Sequence, residues 1–431
     1  MKKLNDIKTD LLPKLIELTE YAKSKDVEIT IDAEEQDRLD VSLEIIKEMA
    51  LSPNIKNWKG FGIAVQAYGK RAIATIDWLE DLLKHRASMH VRLVKGAYWD
   101  YEIKHAQIHG YDGYPVYTKK SVTDLAYLAC AKRIFDVEKI YPKFATHNAH
   151  TISAIHHLGS GKDYEFQRLF GMGELLYKSA NKILKTEKNT SIYAPIGKYK
   201  DLLPYLVRRL LENGANSSFI NRLLDPETDS AWLAKGPHLK IEDEKKEIPM
   251  PINIFNDRPN SKGFDLSERE NLEMLEEQLR KFESSEVNAS SIYITKNYKK
   301  TNTHNISSLA DARNIGTASY DDLSNIKQSL EDQHVTEWSS MHVEKRAAIL
   351  EKIADDIETN PYEIIYYLMN EAGKTVQNTI DEIREAIDFL RYYAQQAVSL
   401  QKEDHILEGP TGEIKNMIFF LKTNSLLCVV S

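Results

Sequence analysis

Cysteine is what this sequence has least of: Cys130 and Cys428, each in an apolar run, are the only two in 431 residues. Two such thiols build no disulfide framework, and a reducing, cytoplasmic setting is expected. No apolar run approaches the ~20 residues that a membrane-spanning helix needs. The N-terminal MKKLNDIKTDLLPKL has early lysines but no apolar core or small-residue cleavage site after them, so it does not read as a signal peptide. There is no G-x-G-x-x-G and no P-loop, so a nucleotide fold of those types has no motif support. Internal repeats and low-complexity tracts are absent too. Charge of one sign is in no large excess. The net charge is −8 with acids and bases interspersed, which speaks against an extended nucleic-acid surface.

What is present is an ordinary soluble composition, 42% hydrophobic and 28% charged, with enough chain for two domains or one large one. Over the first 220 residues two periods alternate. Strand-like runs are expected at Val27–Ile31, Gly62–Tyr68, His90–Val94, Lys143–Thr146, Tyr164–Leu169, Ser191–Ile196 and Ser217–Ile220. Helical stretches are expected at Thr9–Lys23, Glu34–Ala50, Arg71–His85, Thr123–Phe135 and Asp201–Asn213, the last stopped by Gly214. Strand and helix in alternation imply parallel strands with crossovers, hence an α/β fold. Seven strands are one short of a closed (β/α)8 barrel. Between Asp225 and Arg313 the pattern dissolves into linker and loops around a helix at Leu266–Phe282. Helical periodicity returns at Asp321–Asp332, Val343–Thr359, Pro361–Glu371 and Thr375–Leu400, before the short apolar runs MIFFL and LLCVV.

In a barrel, chemistry sits at the C-terminal ends of the strands. The run VRLVKGAYWD places Arg92 and Lys95 there, followed by Tyr98 and Trp99. Charges at a buried strand end need a partner or a ligand. Three readings stand: a structural ion pair at the rim, a cofactor site with an aromatic wall, or a Schiff-base lysine at Lys95 as in class I aldolases. The run KFATHNAH offers Thr146, His147, Asn148 and His150. Its HxxH spacing suits a metal, yet a strand-to-helix turn need not aim both rings together and no third ligand is evident. No metal is expected; hydrogen bonds to a polar cofactor, or helix capping by Asn148, are the better readings. The helix DLLPYLVRRLLENGAN carries Arg208 and Arg209 beside its apolar arc, with Glu212 four residues after Arg208. This is either a surface Arg–Glu pair or a two-guanidinium clamp on a carboxylate. Asp32 ends EITID and could balance the basic residues. GMGE at 171–174 reads as a tight turn, and Lys119 and Lys120 as a solvated face.

In order along the chain, ITIDAEEQDRL, IAVQAYGKR, VRLVKGAYWDYEIKHAQ, GYPVYTKKSVTDLAYLACAKR, FATHNAHT, FQRLFGMGE and IYAPIGKYKDLLPYLVRRLLENGANSSFINR resemble the proline dehydrogenase barrel of the bifunctional proline utilization A family. The similarity spans about residues 10–225. Residues 312–431, through EAGKT, EIREAIDFLRYYA and GPTGE, resemble the start of the glutamate-semialdehyde dehydrogenase domain that follows in that family. The resemblance implies a barrel over 1–225, a linker over 226–311 and a mainly helical partial aldehyde dehydrogenase domain over 312–431. It implies FAD-linked oxidation of L-proline to Δ1-pyrroline-5-carboxylate, in catabolism to glutamate, with electrons passed to quinone. Arg208 and Arg209 then match the pair holding the proline carboxylate; Tyr193, Tyr98 and Leu169 match pocket walls, and Asp32 a site carboxylate. Arg92 matches the residue at the flavin N5 edge. Gln66, Val94, Lys95, Gly96, Trp99, Thr118, Lys119, Thr146, His147, Asn148 and Glu212 match further cofactor contacts. No nucleic acid is expected; a homo-oligomer and a peripheral contact with the inner face of the membrane are left open.

Departures from the family pattern shape three readings. The family's first barrel strand carries a pocket lysine, and this chain is expected to begin after it, leaving sheet edges unpaired. The family's catalytic cysteine, general-base glutamate and NAD-binding segment are expected beyond Ser431, so the second activity is expected to be missing. The chain is then a proline dehydrogenase, a non-catalytic fragment of a disrupted bifunctional gene, or a different barrel enzyme such as an aldolase.

Overall fold

A computed structural model describes residues 4–186, 188–214, 231, 234–242, 244, 247–290, 302–332, 341–402, 421–422 and 425–426. Contacts divide the chain into two compact units, residues 1–105 with 114–248 and residues 106–113 with 249–431.

The first unit is built on one sheet. Its strands are β1 (Ile29–Ile31), β2 (Phe61–Gln66), β3 (Met89–Val94), β4 (Ile140–Ala145), β5 (Glu165–Leu169) and β6 (Thr190–Tyr193). They lie in chain order and every neighbouring pair is parallel. Parallel neighbours demand crossovers. These are α3 (Leu39–Leu51), α4 (Ala72–Leu82), α5 (Trp99–His109) with α6 (Lys120–Asp136), α7 (Ala149–Leu158) and α8 (Glu174–Leu184). Helices α1 (Leu4–Asp10) and α2 (Leu12–Ser24) precede β1, and α9 (Tyr199–Gly214) follows β6. This is the α/β arrangement of parallel strands with helical crossovers that the alternating periods predict, here as a half-barrel sheet. Six of the seven expected strands are present; the seventh, Ser217–Ile220, lies outside the described residues.

The differences are local and physical. The helix expected over Thr9–Lys23 is two helices, the second starting at Leu12 with Pro13 in its first turn, where a missing N–H costs nothing. The helix expected from Glu34 starts at Leu39, because the residues before it form a loop and a 3-10 turn, Gln36–Arg38, whose backbone bonds to other elements. Helices α7 and α8 are implied, without a range, only by the turns before them, and α5 is not expected; WDYEIKHAQIH carries too polar a sequence to show an apolar stripe.

The core lies between sheet and helices. Every residue of β2, FGIAVQ, is buried, as a parallel strand covered on both faces requires. Gly62 is obligatory there: a Cβ would lie 2.0 Å from the His90 ring of β3. On the helix side, Phe135, Phe144, Tyr164, Phe166 and Tyr177 form a chain of tilted and edge-on rings 5.1–5.7 Å apart.

In the second unit, helices Arg269–Arg280, Val343–Thr359, Tyr362–Asn370 and Val376–Lys402 pack Leu275, Leu350, Ile365, Ile383 and Ile387 together. Buried Arg391 is answered there by Glu358 and Asp355 at 2.7–3.0 Å. A three-stranded sheet, β7 (Val287–Ser290), β9 (Asn314–Tyr320) and β8 (Asn302–Ser307) in that order, joins them. Strands β7 and β8 fall in the stretch read from sequence as linker. VNAS and NTHNIS are polar and mostly exposed, so they show no apolar alternation. Among the described residues no helix is long and apolar enough to cross a membrane.

Phe144 is fully buried at the centre of the ring chain. Phe144→Ala should lower stability by about 3–5 kcal/mol, read as a lower urea midpoint at unchanged m-value; a loss under about 1 kcal/mol would contradict this packing.

Candidate functional site

Because the six strands are parallel, their C-terminal ends share one rim. Asp32 follows β1, Gln66 ends β2, and Val94, Lys95 and Gly96 close β3. Thr146, His147 and Asn148 follow β4, Leu169 ends β5 and Tyr193 ends β6. Sequence reading by strand ends thus brings these residues to one edge of one sheet.

Arg92 reaches across the sheet. It is ion-paired with Asp32, and its guanidinium lies 5.7 Å from the centre of the Tyr193 ring. Three strands, β1, β3 and β6, therefore meet at one cation. Leu169 stands opposite Tyr193 in register and is buried. His147 Nε2 accepts from the Leu169 backbone N–H at 3.3 Å, which ties the β4 end to the β5 end.

Lys95 is ion-paired with Asp124 of α6, which also meets Lys120 at 3.1 Å. Burial pulls the Lys95 ammonium below its ordinary range, with Asp124 opposing. Burial pushes the Asp124 carboxyl up, but Lys95 and Lys120 together outweigh it and hold it below the usual range. Lys119 lies 3.4 Å from exposed Glu247, and Thr118 precedes it, half-buried. Thr146 is buried; its Oγ1 accepts from the Asn148 N–H at 3.2 Å, and its carbonyl accepts from Tyr177 Oη at 2.7 Å. Asn148 caps α7 by accepting from the Thr151 N–H at 3.1 Å. His150 is half-buried, its pKa lowered by burial and by Lys240. Among the described residues no cluster of three or more His, Cys, Asp or Glu has a metal-binding arrangement.

The loop after β3 is pinned. Gly96 has φ +145°, and a Cβ on it would strike the Tyr68 ring at 2.4 Å, so only glycine fits. Gln66 accepts from the Ala97 N–H at 3.2 Å and donates to the Glu34 carbonyl at 2.7 Å. Tyr98 donates to Glu34 Oε2 at 2.9 Å, and Trp99 Nε1 to the Tyr117 carbonyl at 2.9 Å. Arg208, Arg209 and Glu212 lie on α9, with side chains outside the described residues.

Sequence reading missed Asp124, Glu34, Tyr68 and Glu102, the groups that hold the named residues. Only Asp124 had a signal, four residues after Lys120 on one helix.

The fold is an α/β half-barrel sheet of parallel strands with its candidate site at one rim, and comparison with known proteins gives its family. Residues 2–222 match the proline dehydrogenase family and residues 294–419 the aldehyde dehydrogenase family. The chain belongs to the proline dehydrogenase family. It is 40% identical over 424 residues to the bifunctional protein PutA of Salmonella typhimurium, covering 93% of this chain and 32% of that one. A crystal structure of a variant of proline utilization A from Bradyrhizobium japonicum matches with TM-score 0.80 and 38% identity, over 95% of this chain and 39% of that one. The structure of proline utilization A from Bdellovibrio bacteriovorus inactivated by N-propargylglycine matches with TM-score 0.81 and 28% identity, over 92% and 42%. The chain spans about a third of the length of the curated relatives it matches.

Asp124→Asn should strip Lys95 of its counter-charge and cost about 3 kcal/mol at pH 7. The folded pKa of Asp124 is depressed, so its contribution is present above the unfolded value, roughly 4, and is lost as pH falls below it. Urea midpoints of the two proteins should therefore differ at pH 7 and converge towards pH 3; an equal gap at both would contradict the assignment.

Proposed function

We propose that this chain oxidises L-proline to Δ1-pyrroline-5-carboxylate, with FAD as hydride acceptor and quinone as the electron sink, in the catabolism of proline to glutamate. The observation that carries the reading is the proline dehydrogenase match over residues 2–222. Relatives in the comparison are bifunctional proteins of proline utilization. A quinone acceptor is lipid-borne, so a peripheral membrane contact belongs to the same reading.

The rim's donor set suits FAD. A diphosphate and the acceptor edge of a flavin ask for cations, hydroxyls and amide donors. Arg92, Lys95, Lys119, Thr118, Thr146 and Asn148 are of those types, and Gln66, Val94, Gly96, Trp99, His147 and Glu212 would complete the bed. When bound, FAD supplies the hydride acceptor, a chemistry side chains do not offer. The protein's part is to hold and orient. Arg208 and Arg209 would fix the proline carboxylate through planar forks. Tyr193, Tyr98 and Leu169 would wall the ring and exclude water. Asp32 would keep Arg92 aimed, since their ion pair fixes one edge of the guanidinium.

We further propose that NAD-dependent aldehyde oxidation is no property of these 431 residues, and that the aldehyde dehydrogenase-like part over 312–431 is partial. Cys130 is buried in α6, where burial pushes its thiol up to about 12, the opposite of an activated nucleophile.

The test is the visible spectrum of the purified protein, before and after anaerobic L-proline. Flavin bands that bleach with proline are expected. A protein colourless even after FAD is added would sink the reading in favour of a non-catalytic fragment, and borohydride trapping of a carbonyl substrate at Lys95 would favour an aldolase. In a parallel assay with pyrroline-5-carboxylate and NAD, no NADH should form; steady substrate-dependent NADH would refute the second proposal.

A further inference from the structure

In the loop between β1 and α3, residues 32–38, Asp32–Gln36 help line a small cleft of about 40 Å³ that is also lined by apolar Leu39, Leu43, Ile46, Ile63 and Val65. Directional bonds hold the loop in place. Asp32 is held by Arg92, and Glu34 by Gln66 and Tyr98. The Gln36 carbonyl is held by Arg71 at 3.0 Å and its N–H by the carboxylate of Glu102 at 2.7 Å. Glu102 stands in the first turn of α5, the helix that begins with Trp99, and is 3% exposed. The same oxygen, Oε1, accepts from Tyr68 Oη at 3.4 Å, and the Tyr68 ring is the one beneath Gly96. One carboxylate thus joins the loop bearing Asp32 and Glu34 to the segment bearing Gly96, Tyr98 and Trp99.

We propose that Glu102 is a positioning residue for proline oxidation, a proton-dependent clamp that keeps the Asp32–Gln36 loop docked on the β3–α5 segment. The catalytic consequence rests on the function proposed above; the clamp itself does not.

The charges around Glu102 are mixed. Burial raises its pKa most, and Asp37 and Glu35 of the loop raise it further; the Gln36 N–H and the Tyr68 hydroxyl lower it, and it stands at about 7. Tyr101 of α5 faces the same Asp37, Glu35 and Arg38, and Arg71, just before α4, pairs with Asp40 beside them. The ionised carboxylate accepts strongly from the Gln36 N–H at 2.7 Å and more weakly from the Tyr68 hydroxyl at 3.4 Å; once protonated it accepts less well from both. The clamp is therefore closed above pH 7 and loosened below it.

The test compares wild type, Glu102→Gln and Tyr68→Phe, the first substitution isosteric so that the fold is kept. Hydrogen exchange of the peptide containing Gln36 is measured at pH 6 and pH 8, each variant against wild type at the same pH. At pH 8, Glu102→Gln should exchange on the order of tenfold faster, the worth of one hydrogen bond to a charged group; at pH 6 the two should agree within about twofold. In turnover, wild-type kcat/KM for proline should rise with a midpoint near 7, carried mainly by KM because the clamped segments bear the pocket wall Tyr98 and the Asp32 that aims Arg92. Glu102→Gln should lack that limb. Tyr68→Phe removes a donor that favours the ionised form, so its limb should move to higher pH. Wild-type exchange in Glu102→Gln at pH 8 would overturn the clamp, and an unchanged limb in that variant would overturn its proton dependence. A wild type that binds no flavin would refute proline oxidation and the catalytic role with it, while exchange would still judge the clamp.

Discussion

Parallel pairing in chain order is the constraint from which the rest follows. Each step from one strand to the next must return the chain to the same edge, so every strand ends on the same rim. Residues 32, 66, 94–96, 146–148, 169 and 193 are scattered over 160 positions, yet one geometric rule collects them. The rule also fixes where the oily layer must be. Asp32 and Lys95 stand just past the strand ends, while Arg92 and buried Lys143 lie within β3 and β4.

Charge in such a place has to be answered locally. Arg92 is answered by Asp32, Lys95 by Asp124 and Lys143 by Glu28 and Glu165. His90 takes the other course: burial and the neighbouring Lys143 hold it down at about 4, so it stays neutral beside Thr30. The alternatives of structural ion pair and cofactor contact do not exclude each other. A guanidinium has five N–H donors, and a carboxylate on one edge leaves donors on another while fixing where they point. Desolvation offsets much of the energy of such a pair, so what it adds is position rather than stability.

The strands were legible because buried strands are apolar and their ends are marked by charge. The role of each rim residue was not; spacing alone left Arg92, Lys95, His147 and Arg208 with two or three readings, and family resemblance chose among them. The supporting groups were hidden for a topological reason. Asp124 and Glu102 sit on crossover helices, 29 and 66 residues from the groups they hold, and a lone acid on a polar helix reads as surface. Strands β7 and β8 were missed because they are exposed and polar, so the period that betrays a strand never appears.

The site's chemistry can also be argued from what its side chains are arranged to do. Its lysine is tied to an aspartate, its histidine accepts a backbone N–H, and Cys130 of α6 is buried with its pKa raised. None of these is poised to attack a substrate. Its cations and hydroxyls, by contrast, are held at fixed places by neighbours, and its loops are pinned by paired hydrogen bonds across strands. A protein that must attack needs one activated atom. One that must hold a cofactor against a small zwitterion needs many weak constraints agreeing on a single geometry, because hydride transfer falls off steeply with misplacement. The held cations and pinned loops of this rim suit the second task, and on the function proposed above the supporting groups Glu102 and Tyr68 belong to its account.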